Sequence, residues 1–310
     1  MLSLFRVIAM FNPEVKEQFL SKYQGWARTG GYFDALEEVS EKEIAEMSVA
    51  DVQNTFRKLE LFELASVDAL LSLVRNYVEW CRDNKVFDNY CGGFLEVSTK
   101  DYDPTSHMAR MFFRDEGDFL RSLRKVRMFD EGYPEVVAMA LVWLGLGYSE
   151  ICALKDNHVD LESRKIYAND GEVLVSGFSD DIHSLLVQFV KCNVASRSAY
   201  NVVKDKSLDV FLKRMCSPTS DKMGTPIRPR QLTNLVNKMN MQYEALEYPP
   251  RFSMLNVQRS GALYRLWVAE QNGLDVFSKE NEQKVCQIYG SKKYRGVVWQ
   301  YKFYKKAFNL

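Results

Sequence analysis

Several features that usually mark an enzyme site are missing from this sequence of 310 residues. Its three histidines, His107, His158 and His183, stand far apart and match no metal-ligand spacing. The sequence contains no Walker loop, no dinucleotide-binding glycine fingerprint and no Gly-x-Ser-x-Gly elbow. It therefore gives no support to metal-dependent, nucleotide-dependent or acyl-transfer chemistry, and we expect neither a metal ion nor a small-molecule cofactor.

Cysteine pairs and long apolar runs are missing as well. The six cysteines include no Cys-x-x-Cys pair, so we expect reduced thiols that serve mostly as small core side chains. No apolar run approaches the length of a bilayer span, and Met1–Met10 lacks the charged leader and cleavage site of a signal peptide. We predict a cytoplasmic protein with no membrane partner. The cysteines are Cys81, Cys91, Cys152, Cys192, Cys216 and Cys286.

The net charge of zero hides a strong asymmetry along the chain. Residues 1–100 carry 11 Lys and Arg against 16 Asp and Glu, and residues 101–200 repeat those counts. Residues 201–310 carry 19 against 9, with no acidic residue after Glu282. The asymmetry fits either a difference in solvated surface charge or a C-terminal region that faces a polyanion.

The first hundred residues have the periodicity of helices with short breaks. Two Gly-Gly pairs, at 30–31 and 92–93, interrupt the helical pattern, and we expect the second pair to end a helical bundle. The polar stretch 98–107 is the best linker candidate. It separates a predicted domain at 1–97 from one at 108–310. The helices are predicted at 15–26, 49–60 (with Ser48 as cap) and 66–84.

The second predicted domain combines helices with one β-hairpin. Two strand-like runs, Lys165–Ala168 and Glu172–Val175, flank the turn sequence Asn169-Asp170-Gly171. The pattern predicts a mainly α protein with a small antiparallel sheet. Helices are predicted at 114–124, 135–146, 180–194, 230–239, 254–268 and 280–289.

One segment of this second domain carries a family resemblance. Residues Ala138 to Lys155 read as a buried apolar helix that runs through Gly145-Leu-Gly147 into a Ser-Glu-x-x-x-Leu helix. The segment resembles the tyrosine recombinases, or phage integrases, in which an arginine stands where this chain has Gly147. Nearly the whole chain fits the recombinase plan. The resemblance implies a helical core-binding-like DNA-binding domain followed by a catalytic-fold domain with a small sheet.

Most catalytic positions implied by the resemblance have changed. The hairpin that presents a lysine in the family carries Asn169 and Asp170, and the His-x-x-Arg box is best matched by Asn256 to Arg259. Sliding that register by one would place Leu255 and Gln258 there instead, and Tyr304 is a second candidate for the nucleophile. The vestigial positions are Gly147, Asp170, Asn256, Arg259, Ser291 and Tyr301.

A tyrosine nucleophile needs several cationic donors on the phosphate, and their loss predicts that the chain is not an enzyme. What remains suits DNA binding, because two arginines open the predicted helix at 230–239, two more lie on the next helix, and lysines and arginines accumulate after Glu282. The alternative for each cation is a solvated surface position, and for Arg259 a buried salt bridge with a carboxylate such as Glu150. Tyr301 equally fits a packed aromatic helix face. The predicted DNA-binding residues are Arg228, Arg230, Arg259, Arg265, Lys292, Lys293 and Arg295.

Three functions follow from this interpretation. The first is a sequence-specific repressor that binds a double-stranded operator; it resembles the master repressors of large temperate Bacillus-type prophages. That resemblance implies maintenance of lysogeny in a bacterial host, association with the nucleoid, and a protein or peptide antirepressor as a further partner. The second is a divergent active recombinase that uses Arg259 and Tyr301. The third is an accessory structural DNA-binding factor.

Overall fold

The computed structural model divides the chain into two compact units. The first comprises Met1–Met108 together with Val298–Leu310, and the second comprises Ala109–Val297. The structure describes residues 11–22, 30–59, 61, 63–125, 134–192, 194–197, 200–217, 220–222, 224–245 and 251–310.

The first unit is built from helices around one apolar core. Ser48 caps α3 as predicted, because its hydroxyl accepts a hydrogen bond from Asp51 N while the Asp51 carboxylate accepts one from Ser48 N. The helices are α1 (Pro13–Lys22), α2 (Gly30–Ser40), α3 (Val49–Phe56), α4 (Leu64–Asp83), α5 (Gly93–Glu96) and α6 (Thr105–Met111), with a 3₁₀ turn at Ile44–Glu46.

Helix α4 forms the centre of this core and matches the predicted helix at 66–84 closely. Its buried positions recur at helical spacing, and Tyr77 packs against Phe19 of α1 and Phe33 of α2 at ring-centroid distances of 5.3 and 5.0 Å. These aromatic contacts hold α1 and α2 against α4. Helix α2 was not predicted, since the Gly-Gly pair at its start was interpreted as a break.

The second Gly-Gly pair lies inside the packing of the unit, whereas the sequence predicted that it ends the bundle. A Cβ on Gly93 would stand 2.5 Å from the carbonyl carbon of Ser48, and Gly93 N donates to Met47 O. Gly92 has a φ of 68°, which favours glycine. A close backbone contact therefore requires glycine at 93, and a left-handed backbone conformation favours it at 92.

The stretch 98–107, predicted as a linker, is also packed against the core. Tyr102 is fully buried, and its hydroxyl donates to Leu59 O and accepts from Leu61 N. Trp299 stacks on Tyr102 at 6.4 Å, which explains why 298–310 groups with the first unit although the predicted second domain extended to 310. The roles assigned to the two predicted domains stay predictions.

In the second unit, α8 (Pro134–Trp143) is the central element. All ten of its residues are buried; the apolar run from Val136 to Trp143 predicts this burial, and Glu135 is buried with it. Around it lie α7 (Glu116–Lys125), α9 (Tyr148–Ala153), α10 (Asp180–Lys191), α11 (Pro229–Glu244), α12 (Met254–Gln271) and α13 (Glu282–Tyr289). The last helix, α14 (Tyr294–Phe308), begins in this unit, and its residues from Val298 onward group with the first.

Two small antiparallel sheets complete the second unit. The first, in the order β1 (Val159–Asp160), β2 (Lys165–Tyr167) and β3 (Val173–Ser176), contains the predicted hairpin, with Ile166 opposite Val175. The second sheet was not predicted; it joins β4 (Val194–Arg197), β5 (Tyr200–Lys204) and β6 (Met215–Cys216). The fold class, mainly helical with small antiparallel sheets, is confirmed. Within the described part of the chain, no helix combines the length and apolarity needed to cross a bilayer.

Candidate nucleic-acid interface

Gly147, where the resemblance implies an arginine, follows the carboxyl end of α8, and α8 crosses α12 closely there. A Cβ on Gly261 of α12 would stand 2.1 Å from the carbonyl oxygen of Trp143, the last residue of α8. Only a glycine lets the two backbones approach this closely. The crossing brings side chains of α12 to the carboxyl end of α8.

Two of those α12 side chains bind carbonyls at the end of α8 and in the turn that follows it. Arg265 Nη1 donates to Trp143 O at 2.7 Å, and Gln258 Nε2 donates to Gly145 O at 2.7 Å. These bonds satisfy carbonyls that the helix end leaves unpaired. Burial lowers the pKa of Arg265 to about 10. The guanidinium of Arg265 thus has a structural role, and its predicted contact with DNA stays a prediction.

Gly147 itself starts helix α9. Its N–H donates to Glu150 Oε2 at 2.6 Å, so this carboxylate occupies the amino end of α9. A negative charge there is favoured by the helix dipole. The Gly147 position therefore presents a carboxylate where the resemblance implies a cation. The alternative role of Glu150, a buried salt bridge with Arg259, stays a prediction.

Arg259 lies half-buried on α12, one turn after the buried Asn256. Burial lowers the pKa of Arg259, while interaction with the nearby Tyr289 opposes that shift. Burial in turn raises the pKa of Tyr289 to about 12. The arrangement places a partly desolvated cation beside a neutral phenol at the end of α13. Sequence reasoning missed Tyr289, although it immediately precedes the Gly290-Ser291 pair.

Tyr301 and Tyr304 are both fully buried in the part of α14 that groups with the first unit. The ammonium of Lys305 lies 5.8 Å from the centre of the Tyr301 ring. The other vestigial positions, Arg259 among them, belong to the second unit. Burial favours a packing role for Tyr301, and its match to a nucleophile stays a prediction.

The hairpin tip carries exposed negative charge. Asp170 lies at the turn between β2 and β3, where its carboxylate accepts a hydrogen bond from Glu172 N at 3.1 Å. Gly171 completes the turn with a φ of 86°. An exposed carboxylate at this tip would repel a phosphate rather than bind it.

The amino end of α11 forms the first cationic group of the second unit. Arg228 is the cap residue, Pro229 occupies the first turn, and Arg230 follows; both arginines are exposed. The first turn contains no acidic residue. Gln231 Oε1 accepts a hydrogen bond from Arg228 N at 3.1 Å and so closes the helix start.

The loop before α11 is held by two residues that sequence reasoning did not single out. Arg214 donates to Gln231 Oε1, Pro226 O and Thr225 O at 3.1–3.3 Å. Asp205 is buried and accepts from Gly224 N at 2.7 Å; burial works to raise its pKa, but hydrogen bonds outweigh it and the pKa is lowered. The start of α11 is therefore rigidly positioned.

The turn between α13 and α14 carries the second cationic group. Gly290 ends α13 with a φ of 78°, and Ser291 N donates to Cys286 O at 3.0 Å. Lys292, Lys293 and Arg295 follow and are all exposed. The first turn of α14 again contains no acidic residue.

Neither group is neutralised locally. Among the residues that the structure describes, no ion pair involves Arg228, Arg230, Lys292, Lys293 or Arg295. Each group lies at the amino end of a helix, where unpaired N–H groups and the helix dipole add positive potential. Such an arrangement suits phosphate oxygens.

Comparisons with known proteins give a limited result. No protein-family model matches the chain, and no curated protein sequence matches it. Solved structures with a similar arrangement include XerA recombinase, at 13% identity and a TM-score of 0.41 over 96% of both chains. They also include the Tn1549 transposon integrase in complex with circular intermediate DNA, at 11% identity and a TM-score of 0.42 over 93% of this chain and 94% of that one.

The prediction that the chain is not an enzyme is contradicted by these neighbours, which are a recombinase and an integrase. The loss of the cationic positions implied by the resemblance was therefore an insufficient reason to exclude catalysis. The identity of 11–13% establishes no activity for this chain.

Proposed function

We propose that this chain is a site-specific duplex-DNA-binding protein that represses transcription. The observation that carries the proposal is the pair of exposed cationic groups at the amino ends of α11 and α14, within one unit and without local counter-charges. Proteins bind the DNA backbone through such groups, because each lysine or arginine that meets a phosphate releases a condensed counterion.

The two groups differ in how they would act. Arg228 and Arg230 lie on a helix start that Arg214 and Asp205 hold in place. A rigid helix start can fix the register of the protein on the duplex and present its first residues to base edges. Lys292 and Lys293 lie on a short turn with flexible side chains, and they would add affinity that does not depend on sequence.

Repression would follow when the bound protein occludes RNA polymerase at a promoter. The sequence resemblance to prophage repressors supports a prophage operator as the target and an antirepressor as the partner that relieves repression. A selection of binding sites from randomised duplexes, followed by a promoter–reporter assay, tests this proposal. Selection of no sequence, or a reporter that ignores the protein, would leave only the accessory DNA-binding function.

The affinity itself is tested by salt titration in fluorescence anisotropy. The logarithm of the association constant should fall linearly with the logarithm of salt concentration, with a slope of about −0.9 per neutralised phosphate. The variant Lys292→Glu/Lys293→Glu should flatten the slope by about 2. The control Lys238→Glu reverses one exposed charge on α11 away from its start. It should flatten the slope by less than about 1, which is half of the change expected for the double variant.

The recombinase alternative has its own observation, the half-buried Arg259 beside Tyr289. Incubation with a nicked duplex, followed by denaturing electrophoresis, detects a covalent protein–DNA adduct. An adduct that Tyr301→Phe or Tyr289→Phe abolishes would replace the repressor proposal with strand exchange and would identify the nucleophile.

A further inference from the structure

A buried cation lies at the junction of three segments in the first unit. Lys16 of α1 is 0% exposed, and its ammonium pairs with Glu37 Oε1 of α2 at 2.7 Å. It also pairs with Glu43 Oε2, just before the 3₁₀ turn, at 2.9 Å. Both carboxylates are themselves buried. One ammonium therefore serves two carboxylates that have little access to water.

The cluster is closed by further hydrogen bonds. Tyr77 of α4 donates its hydroxyl to Glu43 Oε1 at 2.9 Å, and Asn12 Nδ2 donates to Glu43 Oε2 at 3.0 Å. Phe11 N donates to the other oxygen of Glu37 at 3.1 Å, while its carbonyl accepts from Lys16 Nζ. The ion cluster thus fixes the chain entering α1 as well as the helix.

Other titratable groups face the cluster from α2 and α4. Asp34 interacts with Lys16, and burial raises the pKa of Asp34 above its ordinary value. Burial also raises the pKa of Tyr77 and brings that of Cys81 to about 12, so both stay neutral near physiological pH. The net charge of the cluster therefore depends on the balance between its ionised carboxyls and the Lys16 ammonium.

The charges do not balance when every carboxyl is ionised. Two buried carboxylates against one ammonium leave an uncompensated negative charge, which a low-dielectric site disfavours. Burial raises the pKa of Glu37 to about 7 despite the attraction of Lys16. A proton taken up by Glu37 restores neutrality.

We propose that Lys16, Glu37 and Glu43 form a pH-sensitive latch that holds α1 on the first unit when the Glu37 carboxyl is protonated and loosens it when that carboxyl is ionised. The latch acts within the first unit and does not depend on DNA binding. Opening would withdraw Phe19 from its contacts with Phe33 and Tyr77.

The direction of the pH effect follows from the linkage between proton binding at Glu37 and the docking of α1. The folded pKa of Glu37 lies above its ordinary value of 4.5, so the closed state binds a proton that the open state releases. The docking of α1 on the rest of the first unit is therefore strongest below about pH 4.5. This stabilisation is lost progressively as pH rises through about 7. Between pH 5.5 and 8 the opening equilibrium should increase by at least about tenfold.

Hydrogen–deuterium exchange of the full chain at pH 5.5, 6.5, 7.25 and 8 measures this opening. Rates are corrected for the intrinsic pH dependence of exchange, and the peptide covering Pro13–Lys22 is compared with that covering Pro134–Trp143 in the second unit. We expect protection of α1 to fall at least about tenfold over the range while the reference peptide stays constant. Constant protection of α1 in the wild-type chain would overturn the latch.

Two matched variants on α2 test whether Glu37 causes the pH dependence of α1 protection. Glu37→Gln resembles the protonated carboxyl in shape and charge, so α1 should stay protected at every pH. Glu38→Gln changes the adjacent exposed glutamate and should keep the wild-type pH dependence. A pH dependence that persists in Glu37→Gln, or that disappears in Glu38→Gln, would also overturn the proposal.

Discussion

The ion cluster of the first unit and the two cationic groups of the second unit place their charged side chains in opposite ways. The first unit buries an ammonium, Lys16, between two carboxylates, inside a region rich in acidic residues. The second unit keeps its cationic groups at the starts of α11 and α14 exposed. A buried charge acts on stability and on its own pKa, whereas an exposed charge at a helix start is available to a partner.

The same contrast recurs inside the second unit. Arg265 binds the end of α8 and is largely desolvated, while Arg230 is exposed on α11. Both are predicted to contact DNA, because each lies on a predicted helix of the basic C-terminal third. Burial and hydrogen bonding give Arg265 a structural role and leave Arg230 exposed, while contact of either residue with DNA stays a prediction.

The largest expected effect concerns the crossing of α8 and α12. Gly261→Ala places a methyl group into the backbone of Trp143, where no rotamer change can relieve it, so the second unit should lose more than about 3 kcal/mol. Urea unfolding followed by circular dichroism measures the loss. Gly296→Ala is the control: a Cβ there has no neighbour within 4 Å, and we expect unchanged or slightly raised stability. Equal effects would contradict the close crossing.

The second-largest expected effect concerns the buried charge of Lys16 in the first unit. Lys16→Met keeps an apolar stem but removes the cation from Glu37 and Glu43, which should cost about 3 kcal/mol at pH 8. The cost should shrink at pH 5, because the Glu37 carboxyl can then take up a proton. Lys42→Ala, which breaks an exposed pair with Asp51, should cost less than about 1 kcal/mol. A similar cost for both variants at pH 8 would mean that Lys16 is accessible to water.

A third pair of variants separates the two partly buried arginines. Arg259→Ala should weaken operator and random DNA alike, by about 1.5–3 kcal/mol for a lost charge-assisted contact, with little change in Tm. Arg265→Ala should lower the stability of the second unit by about 2 kcal/mol, because Trp143 O loses its donor, while the affinity per folded molecule stays constant. Anisotropy and thermal unfolding on the same samples give both values. A Tm that falls mainly in Arg259→Ala would reverse the two assignments.

The smallest effect concerns the buried tyrosine of α14. Tyr301→Phe keeps the packed ring and removes only the hydroxyl, so stability should fall by about 1 kcal/mol or less. DNA affinity should stay within about twofold of wild type. A loss of affinity beyond tenfold, at unchanged Tm, would show that the hydroxyl contacts DNA.

Local patterns account for the elements that were predicted correctly. The spacing of apolar residues in α4, the Ser48 cap and the Asn169-Asp170-Gly171 turn each encode their structure within a few neighbouring residues. The elements that were missed depend on distant contacts. Helix α2 starts at a Gly-Gly pair, and the two-residue strand β6 exists only because β5 lies beside it.

The sequence by itself determined the helical character of the chain, its hairpin, and the gathering of cations in the last third, because periodicity and composition act locally. Only the tertiary structure decided which charges remain available. Lys16 is enclosed by residues up to 61 positions away, and Arg265 meets a carbonyl 122 positions away. Desolvation depends on what packs around a side chain, and that packing exists only once distant segments have met.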